Sequence, residues 1–249
     1  MRCTASVVSV LAIRGRVVRG IPVPNRRAAE DKEFMVPWDE AVQLIHSIFP
    51  DAIQAQSRSG SSDFRNAPEL VGTNLGRFLG RIRNSSRFAS VHNRLFLGPK
   101  LEKEGELILL TEENQNVAYW GVRTDSLASD DPPIYFSNNV EPIVWEKEWD
   151  TASAYFSAFA LWQAVNGGLP VNAVALNVDA AINLEIERSF QQVALSENGS
   201  NCKFFSSENF DALIAVKQSH IYAAAKTEDS WVVLDKLNIE WDYCSLDEE

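Results

Sequence analysis

Sulfur and imidazole are scarce in this chain of 249 residues, which holds three cysteines and three histidines. Cys3, Cys202 and Cys244 are odd in number and form no CxxC, which argues against a disulfide framework and a structural zinc site. Such cysteine usage fits a reducing, cytoplasmic setting. His46, His92 and His220 lie far apart without HExxH spacing. The chain also lacks GxGxxG, GxxxxGK[ST] and GxSxG, so neither a phosphate cradle nor a nucleophile elbow is visible. No apolar run reaches the roughly 18 residues needed to span a bilayer, and no membrane partner is expected. From these absences no cofactor, no metal and no enzymatic activity are expected.

Positive charge is the minority sign. Lys and Arg number 23 against 34 Asp and Glu, a net charge of −11. Nucleic acid is therefore not expected as a partner, because phosphate contacts need clustered Lys and Arg. A basic protein is compatible, since complementary charge speeds encounter and selects partners. Hydrophobic residues make up 45% of the chain, enough for a substantial core.

Residues 1–34 hold Pro22, Pro24 and several Arg with no sustained period. They read as a poorly ordered basic tail. Arg2 followed by an apolar stretch loosely mimics a signal peptide, but RGRVVRG offers no small-residue cleavage site. Met35 is then the expected first residue of the domain, which runs over 35–249. In PWDEAVQLIHSIFP the apolar spacing predicts a helix, with Asp39 and Glu40 in its first turn. Residues 51–66 read as a Ser/Gly-rich connector. A second helix is predicted beyond Pro68, with Val71, Leu75, Phe78, Leu79 and Ile82 on one face. Gly72, Gly76 and Gly80 would leave a smooth strip on it, open to close backbone approach.

Leu107–Thr111 and Val117–Arg123 read as paired strands joined by a polar hairpin. TASAYFSAFALWQAVN, from Thr151, is the strongest helix, with Thr151 as N-cap and Gly167-Gly168 as its end. Asp179–Val193 also has helical spacing. Lys203–Phe205, Leu213–Val216, Ile221–Ala225 and Trp231–Leu234 read as strands, the last two joined by a turn over Lys226–Ser230. The expected class is α+β: a single domain with a central, largely antiparallel sheet flanked by helices.

The acids crowd into residues 101–150, where only Lys103, Arg123 and Lys147 oppose them. The segment LILLTEENQNVAYWGV sits within it. Glu112 and Glu113 are adjacent, and on a strand neighbours face opposite ways, so adjacency does not make a catalytic pair. The cluster Glu112, Glu113, Asn114 and Gln115 reads first as a structured turn, second as a partner-facing edge and third as an acid–base pair. Trp120, with Gly121 beside it, is either core or an interface anchor. The candidate partner-binding set is Glu112, Glu113, Asn114, Gln115, Trp120, Asp125, Asp130 and Asp131.

Asn93 and Leu95, then Glu113-Asn114-Gln115, Trp120-Gly121, Asp131-Pro132-Pro133, the Trp145–Trp149 region and Gly167-Gly168 occur in that order over roughly residues 37–170. In this the chain resembles the SUKH superfamily, which includes the Smi/Knr cell-wall regulators of fungi and many bacterial immunity proteins. The resemblance implies an α+β fold without a catalytic site. It also implies a protein partner: a toxin, often a basic nuclease, blocked by direct binding. Alternatives are a regulatory scaffold of the Smi/Knr type and a carboxylate-dependent enzyme.

Overall fold

The computed structural model describes residues 38–54, 64–83, 85–193, 195 and 202–247. They all fall in one compact unit, Glu33–Glu249. The expected basic tail, and residues 55–63 of the expected connector, lie outside the described residues.

Helix α1 (Trp38–Ile48) buries Ala41, Val42, Ile45 and Ile48 on one face, as the spacing predicts. The predicted helix after Pro68 breaks in two. A 3-10 turn, Pro68–Leu70, ends at Gly72, which takes φ +84°. Thr73 then caps the short helix α2 (Asn74–Leu79) by accepting from the Gly76 amide at 2.9 Å. The expected glycine strip does not form, because Gly72 lies before α2 and Gly80 caps its end; it is Gly76 that meets a close backbone. A Cβ on Gly76 would lie 2.0 Å from the Leu70 carbonyl oxygen, so the turn folds back against the helix here. The four-residue helix α3 (Ser86–Ala89) follows.

The first sheet holds β1 (Asn93–Leu95), β2 (Glu102–Glu104), β3 (Leu107–Glu113), β4 (Ala118–Arg123), β5 (Ile134–Asn138) and β6 (Glu146–Trp149). Its order is β1-β3-β4-β5-β6, with β2 also on β3. The central helix α4 (Ala152–Gln163) begins at Thr151, whose hydroxyl accepts from the Ala154 amide. Every α4 residue except Trp162 is buried. Its many Ala and Ser residues keep it slim enough to be enclosed on most sides. The helix ends in a π-turn in which Gly167 adopts φ +100°, close to the predicted stop.

A second sheet follows: β7 (Val171–Ala175), β8 (Gln191–Val193), β9 (Cys202–Ser206), β10 (Ala212–Lys217), β11 (His220–Ala225) and β12 (Tyr243–Cys244), in the order β12-β7-β11-β10-β9-β8. Every pairing in both sheets is antiparallel. The α+β class therefore holds, with the pairing divided between two sheets. The second is covered on both faces. Phe204, Leu213, Ala215 and Ala224 join the core around α4, whereas Phe205, Ile214, Val216 and Ala223 face the helices α5 (Ala180–Ser189) and α6 (Glu228–Asp235). Side chains of the Leu or Phe type contribute about 1.5–3 kcal/mol each when fully buried. This two-sided burial explains why the β10 run is apolar without alternation.

Two sequence expectations need correction. Trp231–Leu234 is not a strand but part of α6, and Lys226–Ser230 is not a hairpin turn but the entry to that helix. Thr227 accepts from the Ser230 amide at 3.1 Å, and Glu228 and Asp229 occupy the first turn. Trp231 and Leu234 are buried three residues apart, while Val232 is 54% exposed. Likewise Asp179–Val193 is not one helix: α5 stops at Ser189, and Gln191–Val193 pairs with β9. No helix among the described residues is long and apolar enough to cross a membrane.

Candidate functional site

The β3–β4 pair carries a bulge. Leu109 pairs with Gly121 but Thr111 pairs with Trp120, so Leu110 is the extra residue. The bulge resets which residues point inward. Thr111 is fully buried and its hydroxyl meets that of Tyr155 on α4. Trp120 shares that face, and so does Glu113, two residues beyond Thr111. Glu112 faces the other way. It is buried and its carboxylate pairs with Arg94 on β1 at 2.7 Å. The two adjacent acids are thus separated by the strand, as alternation requires.

The rest of the polar cluster forms the hairpin turn. Glu113 Oε2 accepts from the Gln115 amide at 2.7 Å, and Asn116 takes φ 60°. Asn116 Oδ1 accepts from the Tyr119 hydroxyl, and its carbonyl accepts from Asn139 at 2.9 Å. Asn114 and Gln115 stand exposed at the tip.

The other acids of the candidate set are scattered. Asp125 is exposed and bound by Arg123 at 2.8 Å; that hydrogen bond holds its carboxyl below the ordinary range. The Asp130 carbonyl accepts from the Trp38 indole at 2.9 Å and from Asn74 at 3.1 Å, tying α1 and α2 to this loop. Asp131 receives the Ser153 amide at 3.0 Å, and the Ser153 hydroxyl as well, at the start of α4. Burial pushes its carboxyl up, against those hydrogen bonds. The structure thus brings Glu113 and Trp120 together and leaves Glu112, Asp125, Asp130 and Asp131 as local ties elsewhere.

Glu113 and Trp120 open onto a cleft of about 430 Å³. One wall comes from the first sheet, with Glu113, Trp120, Glu148 and Trp149. The facing wall comes from the second, with Cys202, Phe204, Lys217 and Gln218. Helix α4 forms the floor with Tyr155, Ala158, Phe159 and Trp162, and His92 and Asn93 close one end. Trp162, the one α4 residue that is not buried, meets Tyr222 at 5.1 Å and His92 at 5.8 Å, both edge to face. The Lys217 ammonium sits 5.4 Å from the centre of the Trp162 ring.

Glu148 is the acid that sequence reasoning missed. Its carboxylate accepts the Trp120 indole N–H. Burial pushes its carboxyl up; the Trp120 and Trp149 side chains and Lys217 act in the opposite direction. His92 is pushed down, first by burial, so its imidazole is neutral at neutral pH. The Cys202 thiol is pushed up to about 12 by burial and stays protonated at neutral pH. Gln163 fixes the end of the cleft. Its Oε1 accepts from the His92 and Asn93 amides at 3.0 and 2.9 Å, and its Nε2 donates to the Phe88 and Asn93 carbonyls at 2.8 Å each. Asn93 is 9% exposed, and its Oδ1 has no hydrogen-bond partner.

The arrangement is one of aromatic faces and hydrogen-bond acceptors. No group of three or more His, Cys, Asp or Glu side chains among the described residues is placed to hold a metal. The signals for this cleft in the sequence were Trp120 and the Trp145–Trp149 region; nothing linked them to Trp162 or Lys217. In comparisons with protein-family models, curated proteins and solved structures, nothing matches the chain.

Proposed function

We propose that this chain is a cytoplasmic, non-catalytic binding module of SUKH type, which neutralises a basic protein toxin by direct binding. The observation that carries the reading is the cleft between the two sheets, with three Trp side chains and the carboxylates of Glu113 and Glu148 at its walls. Aromatic side chains in a concave, partly desolvated setting are the usual anchors of protein recognition. The net charge of −11 adds long-range attraction for a basic partner.

The test is capture of partners from cells of the source at low salt, followed by assay of the captured protein alone and in complex. A single basic protein whose toxic activity is suppressed in the complex, with an association rate that falls as salt rises, is the expected result. Several weak partners with no inhibited activity would replace it with the scaffold reading.

A second reading, a carboxylate-dependent enzyme, draws on one observation. Glu148 is a half-buried acid with a raised proton affinity in the same cleft as Glu113. It requires turnover of some substrate that Glu148→Gln abolishes while the fold persists.

A further inference from the structure

We propose that the cleft between the sheets is a guanidinium site, which receives an arginine side chain of the partner. The inference rests on the binding-module reading and adds the chemical identity of what enters.

Three observations converge on this ligand. The first is an acceptor without a donor. Asn93 Oδ1 is buried at the end of the cleft and unpaired, and a buried acceptor of this kind calls for an N–H or O–H from outside. The second is charge. Glu113 and Glu148 both line the cleft and make no ion pair among the described residues. Among the described residues Lys217 is the only Lys or Arg lining it, and His92 is neutral at neutral pH. Two carboxylates against one ammonium leave a site that a single added positive charge completes. The third is the aromatic surface. Lys217 already rests over Trp162, so the cleft holds one cation against an indole face.

Arginine fits this set better than lysine. The acceptors come from three strands: Asn93 on β1, directly opposite Glu113 at the end of β3, and Glu148 on β6 at the other end of the sheet. A planar guanidinium offers five N–H donors in a fixed fork and stacks on aromatic rings, whereas an ammonium is a compact, strongly hydrated point. A cleft of about 430 Å³ is ample for one such side chain.

The experiment titrates the full chain with N-acetylarginine amide, following tryptophan fluorescence and amide shifts by NMR. N-acetyllysine amide, N-acetylcitrulline amide and methyl glucoside serve as comparison probes. The expected result is saturable binding of the arginine probe at millimolar concentration, at least about tenfold tighter than citrulline, with shifts at Trp120 and Trp162. Glu148→Gln, which keeps an acceptor for the Trp120 indole, should weaken binding about tenfold. Lys217→Met removes the resident cation and should tighten it, a gain that misfolding cannot imitate. Equal binding of arginine and citrulline, preference for the glucoside, or indifference to both substitutions overturns the proposal. If a basic partner protein binds with an affinity that both substitutions leave unchanged, this inference falls and the binding-module reading stands. If the arginine probe binds as expected but no protein partner exists, the site stands and that reading falls.

Discussion

The indole N–H of Trp120 on β4 donates to the carboxylate of Glu148 on β6, reaching past β5, which lies between them in the sheet. The bond makes Trp120 both a wall of the cleft and a tie across the first sheet, so it is neither plain core nor a free surface anchor. Its ring also packs 5.5 Å from Phe136 on β5. Trp120→Phe keeps an aromatic ring but removes the donor, leaving a half-buried carboxylate short of one partner. A loss of about 1–3 kcal/mol is expected, read from the urea midpoint. An unchanged midpoint would show that solvent replaces the indole without cost.

Glu148 also dictates a pH dependence. Burial raises its proton affinity in the folded chain above the ordinary value of 4.5. The unfolded chain therefore loses this proton first as pH rises, and the folded state is disfavoured through that window. Above the folded-state value the penalty is constant. Glu148→Gln has no such proton to lose. The variant should gain stability relative to the parent as pH rises from 4.5, and the gain should level off above the folded-state value. Urea midpoints of both proteins across this range measure the difference; a gap that closes with rising pH contradicts the assignment.

Gln163 offers a sharper stability test. Its amide serves four backbone groups of the segment that runs from Phe88 in α3 to Asn93 in β1. Gln163→Leu fits a similar volume but leaves all four without that partner. With about 1–3 kcal/mol for each unsatisfied buried group and some relaxation, a total loss of about 3 kcal/mol or more is expected. Because the same segment carries His92 and Asn93, their amide resonances should shift as well. A loss under about 1 kcal/mol would mean that the segment repacks freely.

What was legible in the sequence follows from how local each signal is. The helix from Thr151 was readable because its cap, its apolar run and its terminal glycines lie within one stretch. The hairpin was readable from two apolar runs enclosing the polar ENQN, although the first strand takes in Glu112 and Glu113. Helix α6 was misread because a four-residue apolar run fits either period, and the deciding signal was the Thr227-Glu228-Asp229 entry in front of it. The scattered acids misled for a related reason. Asp131 is spent on the start of α4 and Glu112 on Arg94, and both partners are remote in sequence. The cleft itself draws on His92, Glu113, Glu148, Trp162 and Lys217, brought together by two sheets closing over one helix. No spacing rule encodes that meeting.

Gly121, beside Trp120, separates two explanations of the WG pair by sign. Glycine inside a strand weakens it by forfeiting side-chain packing and adding entropy to the unfolded chain, so Gly→Ala at an unhindered strand position stabilises by about 0.5–1 kcal/mol. At Gly121 a Cβ would lie 2.8 Å from the Ile108 carbonyl oxygen on the neighbouring strand, an atom that cannot rotate away. The bulge at Leu110 lies beside this pair, and glycine is what admits the Ile108 carbonyl so close. Gly121→Ala should therefore destabilise, by about 1–3 kcal/mol, as overpacking does. The strain should pass to the adjacent Trp120, shifting its fluorescence. Thermal unfolding decides the matter: a lower melting temperature supports the close approach, and a higher one would show that the glycine is merely a weak strand residue.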